Sequence, residues 1–168
     1  MGGAHLVCGI VIGDRVGKAI GARLIAVCSS DAKIAFAKSQ GADAGINYSR
    51  DDLNQAIKRL TDGRGADVVY DVVGGDAFDA CSRAMAWDGR LLIVGFASGR
   101  IPHRPVHRTL VKGYHVTGWA RRAFTATEPT RRHTTLRHHF SCIATGHVRP
   151  APDAAMPRPR GIRHTQTT

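Results

Sequence analysis

RLIAVCSSDAKIAFAKSQGADAGINY, residues 23–48, decides the fold. Arg23 to Cys28 is a short apolar run of the kind found in strands buried on both faces. Ser29-Ser30-Asp31 supplies a helix N-cap. Ala32 to Ser39 reads as a helix, with Ile34 and Ala35 facing inward and Gly41 ending it. Gly45 to Tyr48 is a brief second strand.

Outward from this unit the same alternation continues. Asp51 to Leu60 reads as an amphipathic helix with Leu53, Ile57 and Leu60 in one stripe. Asp62 to Gly65 is a turn and Ala66 to Val72 a buried strand, broken by Gly74-Gly75. Asp76 to Ala86 reads as a helix, Asp88-Gly89 as a turn, and Arg90 to Gly95 as another buried strand. Upstream, residues 6–20 can be a strand, a helix, or a strand running into a helix, stopped by Gly21. Short Val/Ile/Leu strands alternating with helices indicate the α/β class, with a doubly wound parallel sheet covered on both faces. After Gly99 the texture changes. Val106 to Lys112 reads as a helix and Tyr114 to Trp119 as a strand. Glu128 to Ala144 reads as a helix with Leu136, Phe140 and Ile143 on one face. From Pro150 onward Pro, Arg, Gly and Thr dominate, which predicts a disordered tail. The expected organisation is one domain over 1–150 and a basic tail over 151–168.

The formal net charge of +11 suggests a nucleic-acid partner until its distribution is read. Residues 1–100 hold 12 Lys/Arg against 11 Asp/Glu; residues 101–168 hold 12 against 2. Eight of the nine histidines also follow residue 100. This is a nearly neutral domain with a basic C-terminal part. Cys8, Cys28, Cys81 and Cys142 show no CxxC spacing. The first three sit among apolar or small residues and read as buried thiols, which suits a reducing compartment. With no signal-peptide pattern and no long apolar run, the expected location is cytoplasmic, without a membrane partner.

In a doubly wound sheet the ligand sits at the C-terminal ends of the strands. Here those ends carry Ser29-Ser30, Asn47-Tyr48, Val73-Gly74 and Phe96-Ala97-Ser98. Four stretches carry a family resemblance: GKAIGARLIAVCSS (17–30), AKSQGADAGINYSR (37–50), DGRGADVVYDVVGG (62–75) and GRLLIVGFASG (89–99). Together they resemble the Rossmann-like cofactor domain of the zinc-independent quinone oxidoreductases, the zeta-crystallin-like branch of the medium-chain dehydrogenase/reductase superfamily. The resemblance runs from about residue 17 to 119 and is traceable to about 150 through AFTATEP (123–129) and GHVRP (146–150).

The resemblance implies NADP(H) as cofactor, no metal, and hydride transfer from NADPH to a quinone or related carbonyl or enone acceptor. It places Ser29 or Ser30, Lys33 and Tyr48 around the 2′-phosphate. Val73, Gly74, Phe96, Ala97 and Ser98 fall near the ribose and nicotinamide. The residues agree: an NAD-preferring strand ends in Asp or Glu, whereas this one ends in Cys28-Ser29-Ser30 with Lys33 one turn on. The plainer alternative is that the serines cap a helix and Lys33 is solvated. Glycine at 74 lets backbone approach a ligand closely, or simply makes a turn. No catalytic residue is named, because the nicotinamide carries the chemistry. The family also implies a homodimer contact near the Tyr114–Trp119 strand.

Two departures matter. Where the family has a strand and a turn like GxxGGVG, counting back from Gly17 places HLVCGI (5–10), with Gly9 alone as a candidate. The central strand and phosphate turn are therefore expected to be damaged or missing, and the sheet N-terminally truncated. The family's N-terminal substrate domain is also expected to be absent. A catalytically inactive remnant, or a module for cofactor binding or interaction, is the main alternative. A nucleic-acid module using Arg121, Arg122, Arg131, Arg132, His133, Arg137, His138 and His139 is disfavoured, since stacking aromatics are few there. Metal binding by His133, His138 and His139 is disfavoured because their spacing lacks an i, i+4 pair.

Overall fold

Six parallel strands, among the residues described, build one sheet in the order β3-β2-β1-β4-β5-β6. The structure is a computed structural model and describes residues 5–8, 17–18, 21–103, 106–146 and 148. The strands are β1 (His5–Cys8), β2 (Arg23–Cys28), β3 (Ala44–Asn47), β4 (Ala66–Asp71), β5 (Met85–Ile93) and β6 (His115–Gly118). The helices are α1 (Asp31–Ser39), α2 (Leu53–Leu60), α3 (Gly75–Arg83), α4 (His107–Lys112), α5 (Arg121–Thr127) and α6 (Pro129–Ala144). The chain builds outward from β1 to β3, crosses back beyond β1 to β4, then builds outward again to β6. That reversal creates a crevice at the C-terminal ends of β1 and β4.

The central strand is present, which corrects the expectation that it was damaged or missing. His5–Cys8 is not the phosphate turn but β1 itself. Four residues suffice because both edges are paired: His5 to Cys8 run beside Arg23 to Ala26, and Leu6 to Cys8 beside Val68 to Tyr70. The His5 amide also donates to Asp67 Oδ2 at 2.7 Å. Gly17, helical in backbone, packs on this strand pair. A Cβ there would stand 2.6 Å from Leu24 Cδ2 and 2.7 Å from Leu6 Cδ2, so any larger residue would make both leucine side chains shift. Residues 9–16, where any glycine-rich turn would fall, lie outside the described residues, as does the tail from residue 149.

The strands alternate their side chains between two unequal layers. Val7, Ile25, Val27, Ile46, Val69 and Leu91 meet Leu53 and Ile57 of α2 and Phe78 and Cys81 of α3 in the main core. On the other face the small residues Ala26, Ala37 and Ala42 let α1 lie close. Cys28, expected to be buried, packs there half-buried; the burial of Cys8 is not described.

Several boundaries differ from the sequence pattern. On α1 Ala35 is exposed and Ala37 buried, because Ile34 packs against Gly45 and the next inward position falls three residues on. On α2 the buried residues are Leu53, Ala56 and Ile57, with Leu60 half-buried. α3 stops at Arg83, and β5 begins at Met85 instead of Arg90. The Ala66 amide captures Ala84 O at 2.8 Å, and pairing then jumps from Ala66/Met85 to Val68/Arg90. Asp88, with φ of 57°, is a kink inside β5 and not a turn between elements. α5 was not anticipated; it has no side-chain cap and no buried residue. No helix among the described residues is long and apolar enough to cross a membrane.

Candidate functional site

β2 and β3 deliver one half of the site. Ser30 is the N-cap of α1, extended at φ −152°, and its Oγ accepts from the Lys33 amide at 3.4 Å. The cap starts the helix so that Lys33 Nζ reaches back to donate to Ser29 Oγ at 3.0 Å. The Tyr48 amide donates to Cys28 O at 3.0 Å, and Ser49 Oγ donates to Ser29 O at 2.9 Å. The two strand exits are thereby laced together, with the Tyr48 side chain exposed beside them.

The nearest carboxylate at this exit, Asp31, is already engaged. Its Oδ2 accepts from Arg50 Nη1 at 2.7 Å and its Oδ1 from Asn47 Nδ2 at 3.1 Å. Asn47 is buried, and its Oδ1 accepts from the Ser49 amide at 3.1 Å. Lys33, by contrast, is held by a neutral hydroxyl, and no ion pair is formed by it among the described residues. Sequence reasoning missed Arg50. The signal that could have found it is a basic residue just past a short strand beside the cofactor strand.

β4 and β5 deliver the other half. The Ala97 amide donates to Val72 O at 3.0 Å and the Ser98 amide to Val73 O at 2.9 Å. Gly75 N donates to Arg100 O at 3.1 Å, and Arg100 Nη2 reaches Asp76 at 2.9 Å and Asp79 at 2.6 Å. Val73, Gly74, Phe96, Ala97 and Ser98 are thus brought into one pair of zipped loops. The glycine freedom serves that zipper: a Cβ on Gly74 (φ 69°) would meet Arg100 O and Phe96 Cδ1 at 3.0 Å, and one on Gly75 would meet Ser98 Oγ at 2.7 Å.

Asp71, the last residue of β4, sets this turn and was also missed. Its Oδ1 accepts from the Val73 and Gly74 amides, each at 3.0 Å. The carboxylate is buried, its Oδ2 has no hydrogen-bond partner among the described residues, and burial pushes its pKa up against the pull of the two amides. An Asp closing an apolar strand, with amides two and three residues on, is an Asx-turn signature legible in sequence.

The exits of β2 and β5 are three strand spacings apart, about 14 Å. They flank the exits of β1 and β4, so the site suits a long ligand laid across the strand ends. Elsewhere, the basic residues of α5 and α6 are exposed. Trp119 and Phe124 pack on each other at 5.8 Å and Arg131 lies over the Phe124 ring.

The family model described as zinc-binding dehydrogenase matches residues 15–134. The chain belongs to this family. Within it the affinity is to the zinc-independent quinone oxidoreductase type of the medium-chain dehydrogenase/reductase superfamily, in its cofactor-binding part. The quinone oxidoreductase-like protein 2 homolog of Nematostella vectensis is 38% identical over 110 residues, covering 66% of this chain and 30% of that one. The quinone oxidoreductase of Pseudomonas syringae superposes with a TM-score of 0.82 at 27% identity, over 90% of this chain and 48% of that one. The Escherichia coli quinone oxidoreductase complexed with NADPH gives 0.78 at 27% identity, over 89% and 48%. The chain therefore spans about a third of that curated relative and about half of each solved chain.

Proposed function

We propose that this chain is the NADPH-binding part of a reductase that passes hydride to a quinone or a related carbonyl or enone acceptor. The observation that carries the reading is the β2 exit: Lys33 is held by Ser29 Oγ at 3.0 Å while Asp31 is tied to Arg50 at 2.7 Å. An NAD-preferring site needs a free carboxylate there to accept from the ribose 2′-OH. This exit offers a cation and hydroxyl donors, which fit a 2′-phosphate. Ser29, Ser30, Lys33 and Tyr48 would hold that phosphate. Val73, Gly74, Phe96, Ala97 and Ser98 would flank the ribose and nicotinamide. The bound nicotinamide supplies the hydride; the protein orients it. The complex of the Escherichia coli enzyme with NADPH supports the choice of cofactor.

Fluorescence titration of the purified chain with NADPH and NADH tests this. The expected result is saturable binding that prefers NADPH. Lys33→Ala should weaken NADPH binding about 10- to 100-fold, the worth of one hydrogen bond to a charged group, and leave NADH unchanged. Equal affinity for the two cofactors, or no binding by folded protein, would overturn it.

The same reading assigns a homodimer contact to the Tyr114–Trp119 strand. β6 is the sheet edge and its residues are exposed, whereas Tyr114 itself is buried and would not take part directly. Val116→Lys, placing a charge on that edge, should shift the mass in light scattering toward the monomer. The cytoplasm is the compartment we assign, in keeping with free thiols at Cys81 and Cys142.

A further inference from the structure

Arg50 reaches the β2 exit from the end of β3. Cys28 pairs with Asn47 in register, and the Arg50 and Asp51 amides both donate to Asn47 O, at 3.2 and 2.9 Å. That turn brings the chain back toward the start of α1. The Arg50 guanidinium then spans two carboxylates. Its Nε donates to Asp51 Oδ1 at 3.4 Å and its Nη1 to Asp31 Oδ2 at 2.7 Å. Asp51 is itself fixed, its Oδ2 accepting from the Asn47 amide at 3.2 Å. One carboxylate thus aims the guanidinium at the other. The second oxygen of Asp31, Oδ1, accepts from Nδ2 of the buried Asn47 at 3.1 Å.

Asp31 stands between Ser29 and Lys33 in the chain, in the first turn of α1. A bare carboxylate at that position would do two things. It would accept from a ribose 2′-OH, as in NAD-preferring sites. It would also repel a 2′-phosphate, which carries a charge of about −1.5 to −2 at neutral pH. Pairing with Arg50 suppresses both effects. The two side chains are each 62% exposed, so their pairing adds little to folding. Its consequence is local: it sets the charge that a nucleotide meets at this exit.

Resting on the NADPH reading above, we propose that Arg50 determines the preference for NADPH over NADH by masking Asp31. Arg50 is a positioning residue. It acts through Asp31, while Ser29, Ser30, Lys33 and Tyr48 meet the phosphate. The chain carries the carboxylate of an NAD site and cancels it with a cation delivered by the neighbouring strand.

The test is fluorescence titration of the full chain with NADPH and with NADH, in four forms: wild type, Arg50→Ala, Arg50→Lys, and Arg50→Ala combined with Asp31→Asn. Arg50→Ala should weaken NADPH binding about 10-fold and tighten NADH binding about 3-fold. Arg50→Lys should keep the wild-type preference. Adding Asp31→Asn to Arg50→Ala should restore NADPH affinity and remove the gain for NADH, which the loss of a direct phosphate contact would not allow. If Arg50→Ala shifts both cofactors together, or if the double variant stays weak for NADPH, the inference is overturned. Wild-type preference for NADPH with an unaltered Arg50→Ala overturns this inference alone. A wild type that binds the two cofactors equally overturns the NADPH reading and this inference with it.

Discussion

Residues 23–93 and residues 107–144 are made of the same kinds of element, yet they bury themselves to opposite degrees. In the first region every strand and helix contributes at least one buried residue. In the second, α4, β6, α5 and α6 contribute none; Tyr114, between α4 and β6, is the one buried residue described from 106 to 146. The charge divides in nearly the same place, +1 before residue 101 and +10 after it. The second region hangs on the first by the β5–β6 ladder, by Lys112 Nζ on Arg83 O at 2.6 Å and by His115 on Asp88 at 3.0 Å. Trp87 of the first region and Leu110, Val111 and Phe140 of the second stay largely exposed. Stability is concentrated in the sheet that carries the site, and the basic part presents surface.

Matched truncations should show the largest effect. Phe78 is fully enclosed in the main core, and Phe78→Ala should cost about 3–5 kcal/mol. Phe140 on α6 is two-thirds exposed, and Phe140→Ala should stay within about 0.5 kcal/mol. Urea unfolding of both variants measures the difference. Comparable losses would mean that the second region is covered in solution and that the contrast is false.

The contrast also separates what was legible in the sequence from what was not. β2 and β4 could be read because RLIAVC and ADVVYD are short apolar runs between turn residues. α2 could be read because its stripe repeats at helical spacing. β1 could not, because HLVC has only four residues and its identity rests on pairing with strands far along the chain. Met85 and Ala86 read as the end of a helix, and the Ala66–Ala84 hydrogen bond turns them into strand instead. α5 has neither cap nor buried face, so nothing local announces it. At the site, Ser29, Ser30 and Lys33 are close in sequence and were found. The Arg50–Asp31 pair spans 19 residues and exists because β2 and β3 are neighbours.

Asp71 gives the next effect, inside the first region. Asp71→Ala leaves the Val73 and Gly74 amides without their acceptor and should cost about 1–3 kcal/mol. Asp71→Asn keeps an acceptor oxygen and should cost less. The pH dependence has a definite sign. Burial raises the folded pKa above the ordinary 3.8, so the native state binds the proton more tightly than the unfolded chain. Asp71 therefore makes stability rise as pH falls through its folded pKa toward 3.8, and the Asn variant should lose that rise. A pH series of thermal midpoints on both proteins reads it. An unchanged profile would mean that Asp71 is not buried in solution.

The helix caps come next. Ser30 and Asp52 cap α1 and α2, whereas α5 and α6 have no side-chain cap. Asp52→Ala, which removes an acceptor 3.0 Å from the Gln55 amide, should cost about 1 kcal/mol. Replacing Ala120, the uncapped position before α5, with Ser should gain less than that. Parallel unfolding curves decide whether capping matters only where the helix has a core to face.

The smallest effect is Asp43, where the sheet meets solvent. Its largest influence is desolvation, which raises the pKa, but the Leu24 amide at 2.8 Å and Lys18 at 2.6 Å together hold it below 3.8. For a depressed carboxylate the stabilisation is in place above the unfolded value and disappears as pH falls through the folded one. Asp43 thus contributes to acid sensitivity below 3.8, the opposite sign to Asp71. The pair is partly exposed and screened, worth about 0–1 kcal/mol. Asp43→Asn should lower stability slightly at neutral pH and flatten the acid limb, an effect that 1 M salt should mimic for the ion pair but not for the amide bond. The same acid titration should scarcely touch residues 107–144, which contain Glu128 as their sole carboxylate. If acid releases α5 and α6 before it loosens the sheet, the charge of the second region, not the carboxylates of the first, governs how the two come apart.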